Sequence, residues 1–322
     1  MIIKIRKRLL DFFLNLIYFG LFIFIIFFSV TLSTNNVTGL NVTNATVIAR
    51  VNVSGTEPSL YKVIFDNPVP IDLTANTATT IRCNGSVFDL NGFDDIKNVT
   101  GTFYLASVGP NDINDNNTHY INQSCGNCTA VPGTENRNGT CTCQFAVQYY
   151  ANPGLWQCNI TVNDSTGFIS SENTSFTTVN EVLGISVESS IMDYGNLSVT
   201  QISPFVRQNV TNGGNMPINV TVRGYGGSDE GEGTNLTMLC EFGGNISFGY
   251  QRYYPGNFTT FNDMLNLTNQ SRQIFNLTIP QRTNDARPDN STNSTYWKLE
   301  IPPNVGGICN GTIIFGAIDA TP

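Results

Sequence analysis

Trp156-Gln157-Cys158-Asn159-Ile160-Thr161-Val162 alternates without a break, with Trp, Cys, Ile and Val on one phase and Gln, Asn and Thr on the other. A period of two is that of a β-strand with one buried face. Five further stretches read the same way. Ile81, Cys83, Gly85 and Val87 oppose Asn84 and Ser86, while Ile218, Val220 and Val222 oppose Asn219 and Thr221. Leu236, Met238 and Cys240 oppose Asn235 and Thr237, and Phe275, Leu277 and Ile279 oppose Asn276 and Thr278. Cys309, Gly311, Ile313 and Phe315 oppose Asn310 and Thr312. An Asn-x-Thr triplet itself has period two, but nothing in it requires large apolar or Cys neighbours on the other phase. Helical periodicity is almost absent after Asn44, and Gly, Pro and Asn punctuate the strands. The fold class expected is all-β, as sandwiches of antiparallel strands.

The same stretches carry Asn-x-Ser/Thr sequons, the acceptor motif for N-linked sugar on exported proteins. There are 25, whereas independent placement of 41 Asn and 57 Ser or Thr gives about seven. Asn36, Asn41, Asn44 and Asn52 lie close to the N-terminus. Asn84, Asn98, Asn116, Asn122, Asn127, Asn138, Asn159, Asn163 and Asn173 follow in the first half of the body. The second half carries Asn196, Asn209, Asn219, Asn235, Asn245, Asn257, Asn266, Asn269, Asn276, Asn290, Asn293 and Asn310. Only 12% of residues are charged, so asparagine, threonine and attached sugar would keep this surface in water.

Lys4, Arg6, Lys7 and Arg8 precede an apolar run from Phe12 to Leu32. Basic residues ahead of such a run keep that end cytoplasmic and send the rest across. Residues 1–33 are therefore a signal peptide or a transmembrane signal-anchor helix. The lack of an A-x-A site, with only Thr31-Leu32-Ser33 in its place, favours the anchor. Residues 34–54 read as a glycan-rich stalk merging into the first strand, 45–180 as one sandwich and 181–322 as a second, divided at Asn180-Glu181-Val182. Roughly 290 external residues exceed a single sandwich.

All eight cysteines lie beyond the apolar run, and an even number in an exported chain reads as disulfides. Cys125-Gly-Asn-Cys128 and Cys141-Thr-Cys143 could also hold a tetrahedral zinc, but the second pair is C-x-C and Asn127 and Asn138 are sequons inside that site. Disulfides are preferred, nested as Cys125–Cys143 and Cys128–Cys141 around Pro132-Gly133. That makes 107–145 a stapled hairpin projecting from the first sandwich and a candidate recognition surface. Cys240 and Cys309, both on inward phases with no other partner nearby, are paired.

Asn152-Pro-Gly-Leu-Trp156-Gln-Cys158 resembles strand F of immunoglobulin-like domains, where a turn leads into an aromatic two residues before a cysteine. Trp156 stands where Tyr is usual, and Gly101-Thr-Phe103-Tyr-Leu105 lacks the strand-C tryptophan. The resemblance implies an Ig-like sandwich, not an antibody-type domain, with a Cys83–Cys158 bridge. The second half, from Ile185-Ser-Val187 through Val210-Thr-Asn-Gly-Gly-Asn-Met-Pro217 to Trp297-Lys-Leu299, looks like sandwich modules of bacterial and archaeal envelope proteins. The whole layout resembles small archaeal cell-surface glycoproteins.

Asp89-Leu-Asn91-Gly-Phe-Asp94-Asp95 resembles short Ca²⁺ loops, though not an EF-hand, because its Gly falls at the wrong offset and no Glu closes it. In an Ig-like topology this loop shares an end with Asn163-Asp164. Asp89, Asn91, Asp94, Asp95 and Asp164 are the candidate ligands for one structural calcium, against a plain polar turn. No other cofactor is expected. Gly226–Gly233 reads as an acidic solvated loop, and Tyr250–Pro255 as aromatic packing.

A single histidine, His119, and no nucleophile elbow, phosphate loop, H-E-x-x-H or dinucleotide fingerprint argue against an enzyme. A net charge of −8 argues against nucleic acid. The expectation is an extracellular cell-surface glycoprotein, structural or adhesive, as an envelope-layer or filament component. It would associate with itself, with other surface proteins or with glycans, and touch the membrane through its N-terminus. The alternative is a ligand- or receptor-binding surface module, viral ones included, using the 107–145 hairpin.

Overall fold

The structure, a computed structural model, describes Asn15, Ile17 and residues 47–320 apart from 257–259 and 286–289. The N-terminal run expected to be a signal peptide or anchor, and the sequons at Asn36, Asn41, Asn44 and Asn257, lie outside the described residues. Among those described, no helix is long and apolar enough to cross a membrane. Residues 54–322 form one compact unit and 1–53 another. In the latter, Val47, Ile48, Val51 and Val53 are exposed and belong to no strand.

The first sandwich is built from nine strands: β1 (Ser59–Phe65), β2 (Thr79–Phe88), β3 (Ile96–Leu105), β4 (His119–Asn122), β5 (Asn127–Ala130), β6 (Asn138–Val147), β7 (Gly154–Asp164), β8 (Ile169–Asn173) and β9 (Thr177–Val179). One sheet has the order β1-β2-β6-β5, the other β4-β3-β7-β8, and β9 also pairs with β7. Alternate residues of β2 and β6 face those of β3 and β7 across the core. Trp156 at its centre stacks on Phe103 with centroids 4.6 Å apart, and its indole N–H donates to Asn152 O at 2.8 Å. The Cys83–Cys158 disulfide ties β2 to β7 and so one sheet to the other.

Cys125 is bonded to Cys143 and Cys128 to Cys141. The 107–145 segment is not a projecting insert, however. Cys141, Cys143, Phe145 and Val147 all face the core, which makes β6 an interior strand along the whole of β2, from Val147 opposite Thr79 to Asn138 opposite Phe88. β4 belongs to the opposite sheet. Only the 131–137 turn and the 106–118 loop extend beyond the sheets.

The second sandwich follows with β10 (Ile185–Val187), β11 (Val206–Asn212), β12 (Ile218–Gly226), the short α1 (Glu230–Gly233), β13 (Leu236–Gly243), β14 (Ile246–Ser247), β15 (Gln251–Tyr254), β16 (Leu265–Asn266), β17 (Arg272–Ile279), β18 (Thr292–Leu299) and β19 (Val305–Asp319). Its sheets run β10-β11-β18-β15-β16 and β14-β13-β19-β12-β17. Trp297, Tyr253 and the inward residues of β12 and β17 form the core, and Cys240–Cys309 joins β13 to β19. Two of the sequence phases shift. Phe275 points to solvent at 64% exposure because Asn276 adopts φ 55, which turns the chain over and puts Ile274 inward. Thr237 is buried, its hydroxyl bonded to Gln251.

The sandwiches meet where the buried turn Asn212-Gly-Gly-Asn215 closes on the end of the first. Asn215 Nδ2 donates to Ala151 O and Asn180 O at 3.1 and 3.0 Å, and its Oδ1 accepts from Val182 N at 2.7 Å. Asp285 accepts from the Tyr150 hydroxyl and from Asn116 Nδ2, both at 2.6 Å. Gly214 is required at this turn, since a Cβ there would lie 2.0 Å from Val182 O.

Candidate cation site at the outer end of the first sandwich

At the end of the first sandwich away from this junction, β2 runs out at Phe88 and β7 at Asp164. Asp89 continues the inward phase of β2 past its last ladder pair, which buries its carboxyl completely. The chain then turns through Gly92, at φ 109, into a 3-10 turn, Phe93–Asp95, with Phe93 buried beneath it. This brings Asp95 to the β7 end: Ser165 N donates to Asp95 O at 2.9 Å, and the Ser165 hydroxyl bonds the Asp95 carboxylate.

One carboxylate oxygen each from Asp89, Asp95 and Asp164 lies within 4.8 Å of the other two. Asp164 is 3% exposed and well provided for: Thr166 N and Phe168 N donate to its Oδ1 at 2.9 and 2.8 Å, and the Thr166 hydroxyl reaches both oxygens at 3.0 Å. Burial pushes its pKa up, but these donors outweigh burial and hold it below the ordinary carboxylate value. Asp89 is in the reverse condition. Its Oδ1 accepts from Asn91 N at 2.7 Å, while its Oδ2 is buried with no hydrogen-bond partner. Burial first, then the neighbouring Asp95 and Asp164 charges, raise its pKa.

Asp94 does not converge with the other three. Asp94 accepts from Asn136 Nδ2 at 2.7 Å on the 131–137 turn. Asn91 Oδ1 accepts from Thr56 N and Thr56 Oγ1 at 2.7 and 2.6 Å, fastening the incoming chain to this end of the sandwich. Thr56, Ser165 and Thr166 escaped the sequence reading, as residues of small polar loops with no pattern of their own. A divalent cation fits the remaining set: Ca²⁺–O bonds of about 2.3–2.6 Å put opposed ligand oxygens roughly 4.6–5.2 Å apart.

The other sequence candidates resolve as packing. His119 is buried, its ring over Tyr104 and its Nε2 3.1 Å from Pro110 O. Arg252 lies 4.4 Å above the Phe261 ring, and Tyr253 is core. In the acidic loop Asp229 caps α1 and Glu230 pairs with Arg223.

No protein-family model matches the chain, and no curated protein is similar to it. Several solved structures are. The CsuC–CsuE chaperone–tip adhesion subunit pre-assembly complex from archaic chaperone-usher Csu pili of Acinetobacter baumannii aligns over 77% of this chain and 96% of its own, at 10% identity and TM-score 0.37. Carbohydrate-binding modules from the β-sandwich superfamily align over 83% and 99%, at 13% identity and TM-score 0.24. Dimeric latent PorU from Porphyromonas gingivalis aligns over 53% of this chain, which spans 14% of the PorU chain, at 16% identity and TM-score 0.25. At these TM-scores the likenesses carry no argument about activity. Four disulfides with no free cysteine among the described residues fit an extracellular or surface protein.

Proposed function

We propose that the protein is a cell-surface glycoprotein with a structural or adhesive role, of the kind found in envelope layers and filaments. The observation that carries this reading is the placement of the sequons. Every sequon asparagine whose side chain is described is exposed or half-buried, and none is buried, although many sit on strands whose alternate residues form the cores. Two surface clefts fit the same reading, for the cleft at Tyr120–Ala146 is bordered by Asn116 and Asn122, and that at Cys240–Thr312 by Asn310. Sugar there would leave faces and strand edges, rather than a cavity, as the means of contact. The test is the intact mass of the chain from its native cells before and after enzymatic deglycosylation. A ladder of sugar masses is expected, and an unmodified mass overturns the reading.

A structural Ca²⁺ held by Asp89, Asp95 and Asp164 is part of this proposal, supported by the partnerless buried oxygen of Asp89. At a hundredfold excess of calcium over its Kd, stability rises by about 2.7 kcal/mol. At ~2–4 °C per kcal/mol this raises Tm by roughly 5–10 °C over chelator. Asp95→Ala abolishes the difference. Equal melting of the wild type in calcium and chelator rejects the site.

A further inference from the structure

The register of β12 and β19 determines which backbone groups of β19 are already used. Gly227 N donates to Asn310 O at 2.8 Å and Ala320 N to Pro217 O at 3.1 Å. Even-numbered residues of β19 therefore turn their N–H and C=O towards β12, and odd-numbered ones turn theirs to the opposite edge. On that edge the β13 ladder covers Val305 to Asn310 and then stops. Among the described residues no strand pairs with Ile313, Phe315 or Ala317 on this side. Their side chains pack against the second core yet stay half exposed, whereas Ile218, Val220 and Val222 on β12 are buried. The connection after β10 sends Met192 and Tyr194 to the same core but adds no strand beside β19.

Exposed edges elsewhere in the molecule are blunted. β17 carries Arg272 and the sequon Asn276, β8 carries Glu172 and Asn173, and β4 ends on Asn122. β1 carries Lys62, and β10, β14 and β16 are two or three residues long. Thr312-Ile-Ile-Phe-Gly-Ala-Ile318 has no charge, proline or sequon asparagine, the Asn310 sequon ending on its first residue. An apolar edge without such devices is a template for another strand.

We propose that residues 47–53 of a second copy add to this edge as a strand, a contact that rests on the surface reading above. Val47, Ala49, Val51 and Val53 form one apolar phase, and Ile48, Arg50 and the sequon Asn52 the other. Val47 and Val51 are each 86% exposed and Val53 is 72% exposed, so among the described residues this phase is left uncovered. Seven residues match the open run from Thr312 to Ile318. Main-chain hydrogen bonds would supply the affinity, and the alternate valines the specificity.

The donor is another molecule because the same one cannot reach. Thr56 is fastened to Asn91 beside the acidic cluster, at the Asp164 end of β7. The 11 residues of β7 run from there to Gly154 at the junction, about 33 Å away. The chain from Gly55 back to Val47 spans at most ~28 Å, and the open edge begins only past the junction, near Pro217. Joining the outer end of one molecule to the second sandwich of the next is a head-to-tail contact that repeats into a filament.

Sedimentation and negative-stain microscopy of the full, unreduced chain in mild detergent over a concentration series test this. Wild type is expected to form concentration-dependent linear oligomers. Val51→Asp should weaken association on the order of tenfold or more with Tm unchanged. Ala317→Pro should do the same, because β12 does not use that N–H. Should Ala317→Pro fail to fold, Val51→Asp decides alone. A wild type monomeric at every concentration, or oligomers that survive Val51→Asp, overturns the proposal. The surface reading fails separately, on an unmodified mass from native cells.

Discussion

Asp89 shows how a single carboxyl can make a fold depend on its medium. Its raised pKa means that, without a cation, the folded state resists its charge. The stability tied to it is whole below the unfolded value near 3.8 and is lost as pH rises through the higher folded value. Asp164 runs the other way: its lowered pKa gives stability present above 3.8 and lost on acidification. In chelator, Asp89→Asn is therefore expected to raise Tm at pH 7 and to flatten the fall in stability as pH rises above 3.8. A calorimetric pH series checks it, and a lower Tm for the variant would count against the strain assigned here. Asp95 and Asp164 were legible as partners because adjacent loops at one end of a sandwich must approach. Asp94 turns instead to Asn136, in a loop that passes through the left-handed Gly92, whose φ no spacing reveals.

At the scale of elements, alternation served well where a strand stays in one register and failed where it does not. Trp156 to Val162 lie in an unbroken ladder, and every phase there holds. In β17 the register slips opposite Asn219 and Thr221, and Phe275 lands outside. Phe275→Thr should change stability by less than about 0.5 kcal/mol, against ~2–5 kcal/mol for Ile274→Ala, a contrast that chemical denaturation measures. The cysteine-stapled segment was misjudged for a related reason. Closely spaced cysteines suggested an appendage, yet Cys141 and Cys143 keep the inward phase of a ten-residue strand whose partner, β2, lies far back in the chain. Long-range pairing of that kind leaves no local mark.

For the whole molecule, the division expected near residue 180 falls between sheets that share no strand, while the union of the two halves left no sign in the sequence. The residues that make it, Asn215, Tyr150 and Asp285, are scattered, and the Tyr150–Asp285 bond spans 135 positions. Gly214→Ala should cost about 1–3 kcal/mol by forcing a Cβ onto Val182 O, read as a lower Tm for the entire unit rather than for one half. Asp285 is held below its ordinary pKa chiefly by the Tyr150 hydroxyl, aided by Asn116 and Arg282. Its share of the junction is present above pH 3.8 and lost as pH falls further. The Asn116 amide nitrogen that binds Asp285 is also the atom to which an N-linked sugar would be joined. A sugar joined there would replace one of the two amide hydrogens and set a glycan at the seam between the halves, so occupancy of that sequon would record whether the transferase or the fold arrived first.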